Sequence, residues 1–191
     1  MRTYPTLSGN VAHAFAPGRV NLIGEHTDYN GGLALPFAIE QGVMVSATIQ
    51  TGGRVDAHAA DLNQSDSFDA GSPEPVDGWR AFVRGCYSVL VQAGIEPPGA
   101  RLQISGDLPQ GVGLSSSAAL TLALILALIE LAGEAAPGPL ELARLCQRVE
   151  QQWCGAQTGL LDQLASLHGS AGVATLIDFQ DLTVTPVPCD A

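Results

Sequence analysis

The order of apolar and polar positions predicts strands in the first part of the chain, helices in the middle and strands again at the end. Runs rich in β-branched residues and bounded by glycine or proline predict strands. These runs lie at 11–16, 19–23, 33–36, 43–49, 54–59 and 101–105, and again at 173–178 and 182–187. The stretch 61–77 is rich in serine, aspartate, proline and glycine, which predicts an exposed loop.

Helical spacing of apolar residues predicts three helices. The first runs from a cap at Asp77 to Gly94, the second from the serines at 115–117 to Gly133, and the third from residue 139 to 153. The second helix is apolar on nearly all sides, which predicts a central, buried position. Strands and helices that mix without regular βαβ alternation indicate an α+β domain, with a mixed sheet packed against helices.

Size and charge limit the classes of protein to consider. The chain has 191 residues, of which 46% are hydrophobic and 14% charged, as expected for one folded domain. A net charge of −11 argues against nucleic acid or an anionic membrane as the main partner. The longest apolar run, 118–132, is too short to span a bilayer, and the first residues lack a signal-peptide core. Four cysteines without C-x-x-C pairing fit free thiols, so we expect a cytoplasmic protein.

The basic residues are unusual because all eight are arginines and none is lysine. A Walker-type phosphate loop, a protein kinase and Schiff-base chemistry each need a lysine, so these mechanisms are excluded. If the protein binds a nucleotide, backbone N–H groups, a metal ion and arginine must neutralise its phosphates.

Four chemically capable side chains lie in the segment 16–32, which reads A-P-G-R-V-N-L-I-G-E-H-T-D-Y-N-G-G. They are Arg19, Glu25, His26 and Asp28. Carboxylates accept hydrogen bonds from hydroxyls, and arginine and histidine add donors, so this set suits a neutral polyhydroxylated ligand. From spacing alone, a solvated loop with a structural arginine fits equally well.

A glycine- and serine-rich segment, 108–119, precedes the central helix and reads L-P-Q-G-V-G-L-S-S-S-A-A. Gly111 and Gly113 allow close backbone approach to a ligand, and the first turn of the helix offers free N–H groups to an anion. The serines at 115–117 can cap the helix, bind phosphate or reach a metal ion. An ordinary loop with a serine cap is the alternative.

Two acids stand at the end of the third helix and beyond it. Glu150 lies beside the apolar stripe of that helix, and Asp162 follows twelve residues later in G-A-Q-T-G-L-L-D-Q. Magnesium prefers oxygen ligands and needs only one or two protein groups beside phosphates, so Glu150 and a serine suffice. The alternatives are a surface carboxylate for Glu150 and a turn-stabilising aspartate for Asp162.

The three segments 16–32, 108–119 and 150–163 resemble, in order, the signature, phosphate-binding and active-acid motifs of galactokinases in the GHMP family of small-molecule kinases. The departures are small: Leu160 and Leu161 replace isoleucine and methionine, and Gln157 stands where many relatives have proline. The resemblance implies a GHMP-kinase N-terminal domain that helps transfer the γ-phosphoryl group of ATP to the anomeric hydroxyl of galactose.

The resemblance also assigns roles to single residues. It implies that Asp162 accepts or orients the sugar hydroxyl proton and that Arg19 stabilises the reacting groups. Contacts to the sugar are implied for Glu25, His26, Asp28 and Gly159. For ATP the implied residues are Gly111, Gly113, Leu114, Ser115, Ser116, Ser117 and Ala118, and for Mg²⁺ they are Ser117 and Glu150.

The family's chain continues into a second domain, whereas the resemblance of this sequence covers only the N-terminal half. We therefore expect the C-terminal domain to be the missing packing partner, and the short chain to have little or no activity alone. A kinase for N-acetylgalactosamine or arabinose shares most of these residues, and a sugar- or ATP-binding sensor without catalysis is a further alternative. A bare interaction module would leave the clustered charges unexplained.

Overall fold

Two sheets and four helices make up the part of the chain that the computed structural model describes, residues 9–109 and 113–189. The strands are β1 (Val11–Asn21), β2 (Leu33–Ala34), β3 (Pro36–Ile49), β4 (Arg54–Ala59), β5 (Gln64–Asp69), β6 (Ala100–Gly106), β7 (Val173–Asp178) and β8 (Thr183–Pro188). The helices are α1 (Trp79–Gln92), α2 (Ser116–Leu131), α3 (Pro139–Trp153) and α4 (Leu161–Leu167).

The larger sheet has five strands in the order β1-β3-β6-β4-β5, and the smaller has three in the order β2-β7-β8. Strands β4 and β6 run parallel, whereas the other neighbours in both sheets are antiparallel. Buried and more exposed residues alternate along β4 and β6, so one face of the larger sheet meets the core. The predicted α+β domain with a mixed sheet is confirmed.

Helix α2 forms the centre of the core. It packs against β1 and β3 on one side and against α1 and α3 on the other. Its leucine and isoleucine side chains Leu122, Leu124, Ile125 and Leu128 are fully buried. A helix that is apolar on all sides needs neighbours all round, so the predicted central position is confirmed. No helix in the described ranges is long and apolar enough to cross a membrane.

The predicted loop at 61–77 is wrong in its first half, because residues Gln64–Asp69 form the edge strand β5. Only Phe68 in this strand is apolar, so the sequence lacks the alternation that indicates a strand. Backbone hydrogen bonds to β4 hold this segment in the extended conformation instead. Asp66 accepts hydrogen bonds of 2.9 and 2.8 Å from Arg84 of α1, which joins the edge strand to the core.

Two helix predictions also need correction. Helix α1 begins after Gly78, not at Asp77, and no side chain caps it. The short helix α4 was not predicted, because its seven residues are too few to show a helical period. The predicted strand at 19–23 is in fact the end of β1, which has a register irregularity between Pro17 and Arg19 and stops at Asn21, so residues 22–23 lie outside it.

The irregularity in β1 brings the three chemically interesting segments together. A Cβ at Gly18 would lie 2.7 Å from the Leu114 carbonyl oxygen, so glycine permits this close approach. The next residue, Arg19, donates its backbone N–H to the same carbonyl at 3.3 Å. Ser166 of α4 donates its hydroxyl to the Pro17 carbonyl at 2.8 Å. The end of β1, the start of α2 and helix α4 therefore meet at one place.

Candidate active site

The centre of the candidate site is an ion pair between Arg19 and Asp162. Arg19 donates from Nε to Asp162 Oδ1 at 2.7 Å, and its Nη2 donates to the same oxygen. The remaining nitrogen, Nη1, donates to the Gly113 carbonyl at 2.8 Å. The arginine side chain is 14% exposed and the aspartate 30%, so the pair is partly shielded but open to a ligand. Charge-assisted bonds of this kind fix the orientation of the carboxylate.

The second carboxylate oxygen is held by a serine. Ser115 donates its hydroxyl to Asp162 Oδ2 at 2.5 Å. Ser115 stands at the N-cap position of α2 but makes no side-chain capping bond, so the alternative of an ordinary serine cap does not describe it. Its backbone is left-handed, with φ of 56°. Asp162 is thus anchored at both oxygens, from β1 and from the start of α2.

The loop after β1 is folded by its own hydrogen bonds. Thr27 donates its hydroxyl to the carbonyls of Gly24 and Leu33, at 2.7 and 3.0 Å. Asn30 donates its amide to the His26 carbonyl at 2.9 Å. Uncharged side chains therefore satisfy these three carbonyls, and the charged side chains of the loop are not used for that purpose.

His26 has a partner that the sequence analysis missed. The Tyr29 hydroxyl and His26 Nδ1 are hydrogen-bonded at 2.6 Å. This contact leaves the other ring nitrogen, Nε2, for a ligand. The spacing of three residues within a turn is the only sequence signal for it.

Asp28 occupies the space that a side chain at residue 159 would fill. A Cβ at Gly159 would lie 1.8 Å from Asp28 Oδ2. The same oxygen accepts a bond of 3.4 Å from the Leu161 backbone N–H. The family resemblance implies a sugar contact for Gly159, and in the structure this glycine allows the close approach of Asp28.

These side chains enclose one cavity of about 170 Å³. One water needs about 10–15 Å³ on this measure, so the cavity has room for one small polar ligand. Its lining includes the predicted residues Arg19, Glu25, His26, Asp28, Gly159 and Asp162, and also Tyr29, Gln157, Thr158, Leu161 and Gln163. Residues from both ends of the sequence therefore form a single, mostly polar site.

Glu150 is buried beside this cavity, with a relative exposure of 2%, so the alternative of a surface carboxylate is excluded. Gln163 donates its amide to Glu150 Oε2 at 3.1 Å. Burial raises the pKa of Glu150 to about 7, the nearby Asp162 charge adds to the rise, and the hydrogen bond from Gln163 opposes it. Glu150 Oε1, Gln163 Oε1 and Thr158 Oγ1 are buried without a hydrogen-bond partner among the described residues. Of these, Glu150 Oε1 and Gln163 Oε1 are acceptors that a hydrogen-bond donor or a cation can satisfy.

The predicted phosphate-binding residues lie at the start of α2, next to Asp162. Gly113 has φ of 77°, and Leu114 and Ser115 lead into the helix. The first turn of α2 contains Ser116, Ser117 and Ala118. Gly111 lies outside the described residues. The N–H groups of this first turn can bind an anion. Nucleotide binding by these residues stays a prediction.

A larger concavity, of about 510 Å³, lies on the other face of the larger sheet, along β4, β5 and β6. It contains two acids, of which Asp66 is bonded to Arg84 and Asp56 accepts hydrogen bonds from Gln50, Ser67 and Arg54, which lower the pKa of Asp56 to about 2. We therefore assign the functional site to the smaller cavity, which contains the convergent charged groups.

Two family models match the chain. Residues 6–49 match the galactokinase galactose-binding signature, and residues 81–170 match the GHMP kinases N terminal domain. The galactokinase of Mycobacterium tuberculosis H37Rv is 46% identical over 177 residues, covering 92% of this chain and 48% of that protein. The galactokinase of Roseiflexus sp. RS-1 is 43% identical over 179 residues, covering 91% and 44%.

Solved structures agree with the similarity to galactokinases. The Lactococcus lactis galactokinase, solved in complex with galactose, superposes with a TM-score of 0.88 and 37% identity, covering 94% of this chain and 47% of that one. The Methanococcus jannaschii mevalonate kinase has a TM-score of 0.77 at 22% identity, which shows a shared fold.

The sheet order, the buried central helix and the matched domain model define this chain as a GHMP-kinase N-terminal domain. Within that family the chain belongs with the galactokinases. It spans about half the length of the curated relatives it matches.

Proposed function

We propose that this chain supplies the sugar-binding half of an enzyme that transfers the γ-phosphoryl group of ATP to the anomeric hydroxyl of galactose. The observation that carries the proposal is the position of Asp162, which Arg19 and Ser115 hold in the same cavity as the charged loop after β1. The Lactococcus lactis relative was solved with galactose, which supports this choice of sugar. A cytoplasmic location is part of the proposal.

The charged loop recognises the sugar in this proposal. Glu25 and Asp28 accept hydrogen bonds from sugar hydroxyls, and His26 Nε2 contributes a further polar contact. Arg19 and Asp162 lie in the same lining, so the hydroxyl that reacts is oriented by a charged pair. The hydroxyls of galactose can make the hydrogen bonds that these polar side chains would otherwise make to solvent.

Asp162 accepts the proton of the anomeric hydroxyl as that oxygen bonds to the γ-phosphorus of ATP, whose bond to the bridging oxygen breaks to release ADP. Because Arg19 already donates to one carboxylate oxygen, the aspartate keeps a fixed orientation toward the sugar. The guanidinium also stabilises negative charge on the attacking oxygen and the transferred group. Phosphoryl transfer depends mostly on such positioning and charge stabilisation.

The residues present fit Mg²⁺ and ATP. Glu150 Oε1 is a buried carboxylate oxygen without a hydrogen-bond partner in the described ranges, and hard oxygen ligands suit Mg²⁺. Glu150 and Ser117 would hold the ion, and the segment 113–118 with Gly111 would hold the phosphates. When bound, ATP supplies the phosphoryl group and Mg²⁺ neutralises its charge. With no lysine in the chain, Arg19 is the cation of the cavity lining.

Calorimetric titration of galactose into the 191-residue chain tests the proposal. We expect saturable binding, because the cavity that recognises the sugar lies within this chain. The ATP-dependent step is tested with a two-domain fusion protein. In it, this chain replaces the matching half of the Mycobacterium tuberculosis galactokinase. Absence of both galactose binding and galactose-dependent ADP release would overturn the proposal.

A further inference from the structure

Ser115 uses its hydroxyl in a way that the resemblance does not explain. The hydroxyl lies 2.5 Å from Asp162 Oδ2 and makes no bond to the first turn of α2. We propose that Ser115 is a positioning residue for Asp162 and connects the start of α2 to the reacting sugar hydroxyl. This inference rests on the proposed function, since it concerns the same acid.

The backbone at Ser115 shows why the hydroxyl matters. Its φ of 56° is in the left-handed region, where glycine is favoured and side chains are strained. Gly113, two residues earlier, also has a positive φ, of 77°. Glycine adopts this conformation without strain, whereas Ser115 does not. The left-handed conformation raises the free energy of the serine backbone, and the hydrogen bond to Asp162 offsets this rise. The left-handed turn aims the hydroxyl away from the helix end and toward the acid.

Arg19 completes the connection on the other side of Asp162. Its guanidinium bonds both Asp162 and the Gly113 carbonyl, and its backbone N–H bonds the Leu114 carbonyl. Residues 113–115 are therefore joined to Asp162 twice, once through Arg19 and once through the Ser115 hydroxyl. A ligand that moves residues 113–115 must change the hydrogen bonds of Asp162.

Serine variants in the chain itself test the positioning role by spectroscopy. Ser115→Gly removes the hydroxyl but tolerates the left-handed backbone, so this variant keeps the fold. Ser116→Ala is the matched control, because Ser116 is the exposed first residue of α2. The probes are the side-chain carboxylate carbon resonance of Asp162, assigned by its loss in Asp162→Asn, and the water exchange of Arg19 Nε–H.

We expect Ser115→Gly to shift the Asp162 resonance and to speed exchange at Arg19 Nε–H by about 10-fold, since one anchor of the carboxylate is lost. Ser116→Ala should leave both unchanged. In the joined two-domain enzyme, Ser115→Gly should lower kcat by about 10- to 100-fold and change KM for galactose less than about threefold.

A wild-type carboxylate resonance in Ser115→Gly overturns the inference, even if kcat falls, because the serine would then act on the nucleotide alone. An unchanged kcat overturns it as well. If the wild-type chain binds no galactose, the proposed function fails, while the Asp162 resonance still decides what Ser115 does.

Discussion

Gly159 and Asp28 lie so close that no side chain fits at residue 159. A Cβ there would be 1.8 Å from Asp28 Oδ2 and 2.2 Å from its carboxyl carbon. The two residues come from distant parts of the sequence, one from the loop after β1 and one from the turn before α4. The position of a proposed sugar-binding carboxylate thus depends on the absence of a side chain elsewhere.

Gly159→Ala should therefore weaken galactose binding. The new methyl group displaces Asp28, which loses both its place in the cavity and its bond from the Leu161 N–H. We expect a loss of affinity of about 10-fold or more, the value of one hydrogen bond to a charged group. Calorimetry measures it. Gly138→Ala is the control, since a Cβ at Gly138 meets nothing within 4 Å; equal weakening by both variants would contradict the assignment.

Glu150→Gln should stabilise the metal-free chain at high pH. Burial raises the pKa of Glu150 from 4.5 to about 7 in the folded state, so the folded state holds a proton that the unfolded state has lost. Stability therefore falls as pH rises from 4.5 to 7, and the loss is complete above 7. At 1.36 kcal/mol per pH unit the loss is about 3 kcal/mol.

Denaturant unfolding of wild type and Glu150→Gln from pH 4.5 to 8 measures this difference. The two curves should converge near pH 4.5 and separate above it, with the variant more stable. Glu134→Gln changes an exposed glutamate and serves as the control. Parallel pH profiles for wild type and Glu150→Gln would show that the buried carboxylate does not limit stability.

Sugar specificity should depend on the polar lining of the cavity. Galactose should bind at least about 10-fold more tightly than glucose, arabinose or N-acetylgalactosamine, because a moved or missing hydroxyl leaves a buried polar group unpaired. Tyr29→Phe should reduce this preference, since it removes the hydrogen bond that fixes His26. Calorimetry with the four sugars ranks them, and equal affinities would contradict recognition by this loop.

An exposed apolar rim flanks the charged loop after β1, and we predict that the remaining half of a galactokinase packs against it. The apolar rim consists of Leu22, Ile23 and Leu33, which are 56%, 70% and 54% exposed. Backbone bonds between residues 22–23 and Leu35 hold its parts together. In the short chain, Ile23→Ser should lower binding of a hydrophobic dye. Val91→Ser removes another exposed apolar side chain, on α1, and should leave dye binding unchanged; an equal decrease would contradict a role for the rim.

Much of the fold and of the site is predictable from the sequence, for identifiable reasons. Helix α2 and the strands with clear apolar patterns are predicted because burial itself sets the pattern. Strand β5 is missed because pairing with β4 and the Asp66–Arg84 hydrogen bonds hold it in place, and no local sequence pattern shows these contacts.

The convergence of Arg19 and Asp162 was expected from the family resemblance, and the ion pair at 2.7 Å agrees with it. The role of Ser115 could not be predicted, because a serine before a helix usually caps it. Only the left-handed backbone, which depends on the packing of β1 against residues 113–115, turns its hydroxyl to Asp162. The burial of Glu150 likewise depends on tertiary contacts.

The most direct test of the central claim is the rate of galactose-dependent ADP release by the joined two-domain enzyme with Asp162→Asn. Asparagine keeps the shape of the side chain but cannot accept the proton, so the rate should fall by about 10²- to 10⁴-fold. Galactose affinity of the 191-residue chain, measured in parallel by calorimetry, should change only a few-fold. Turnover near the wild-type rate in Asp162→Asn would contradict the account.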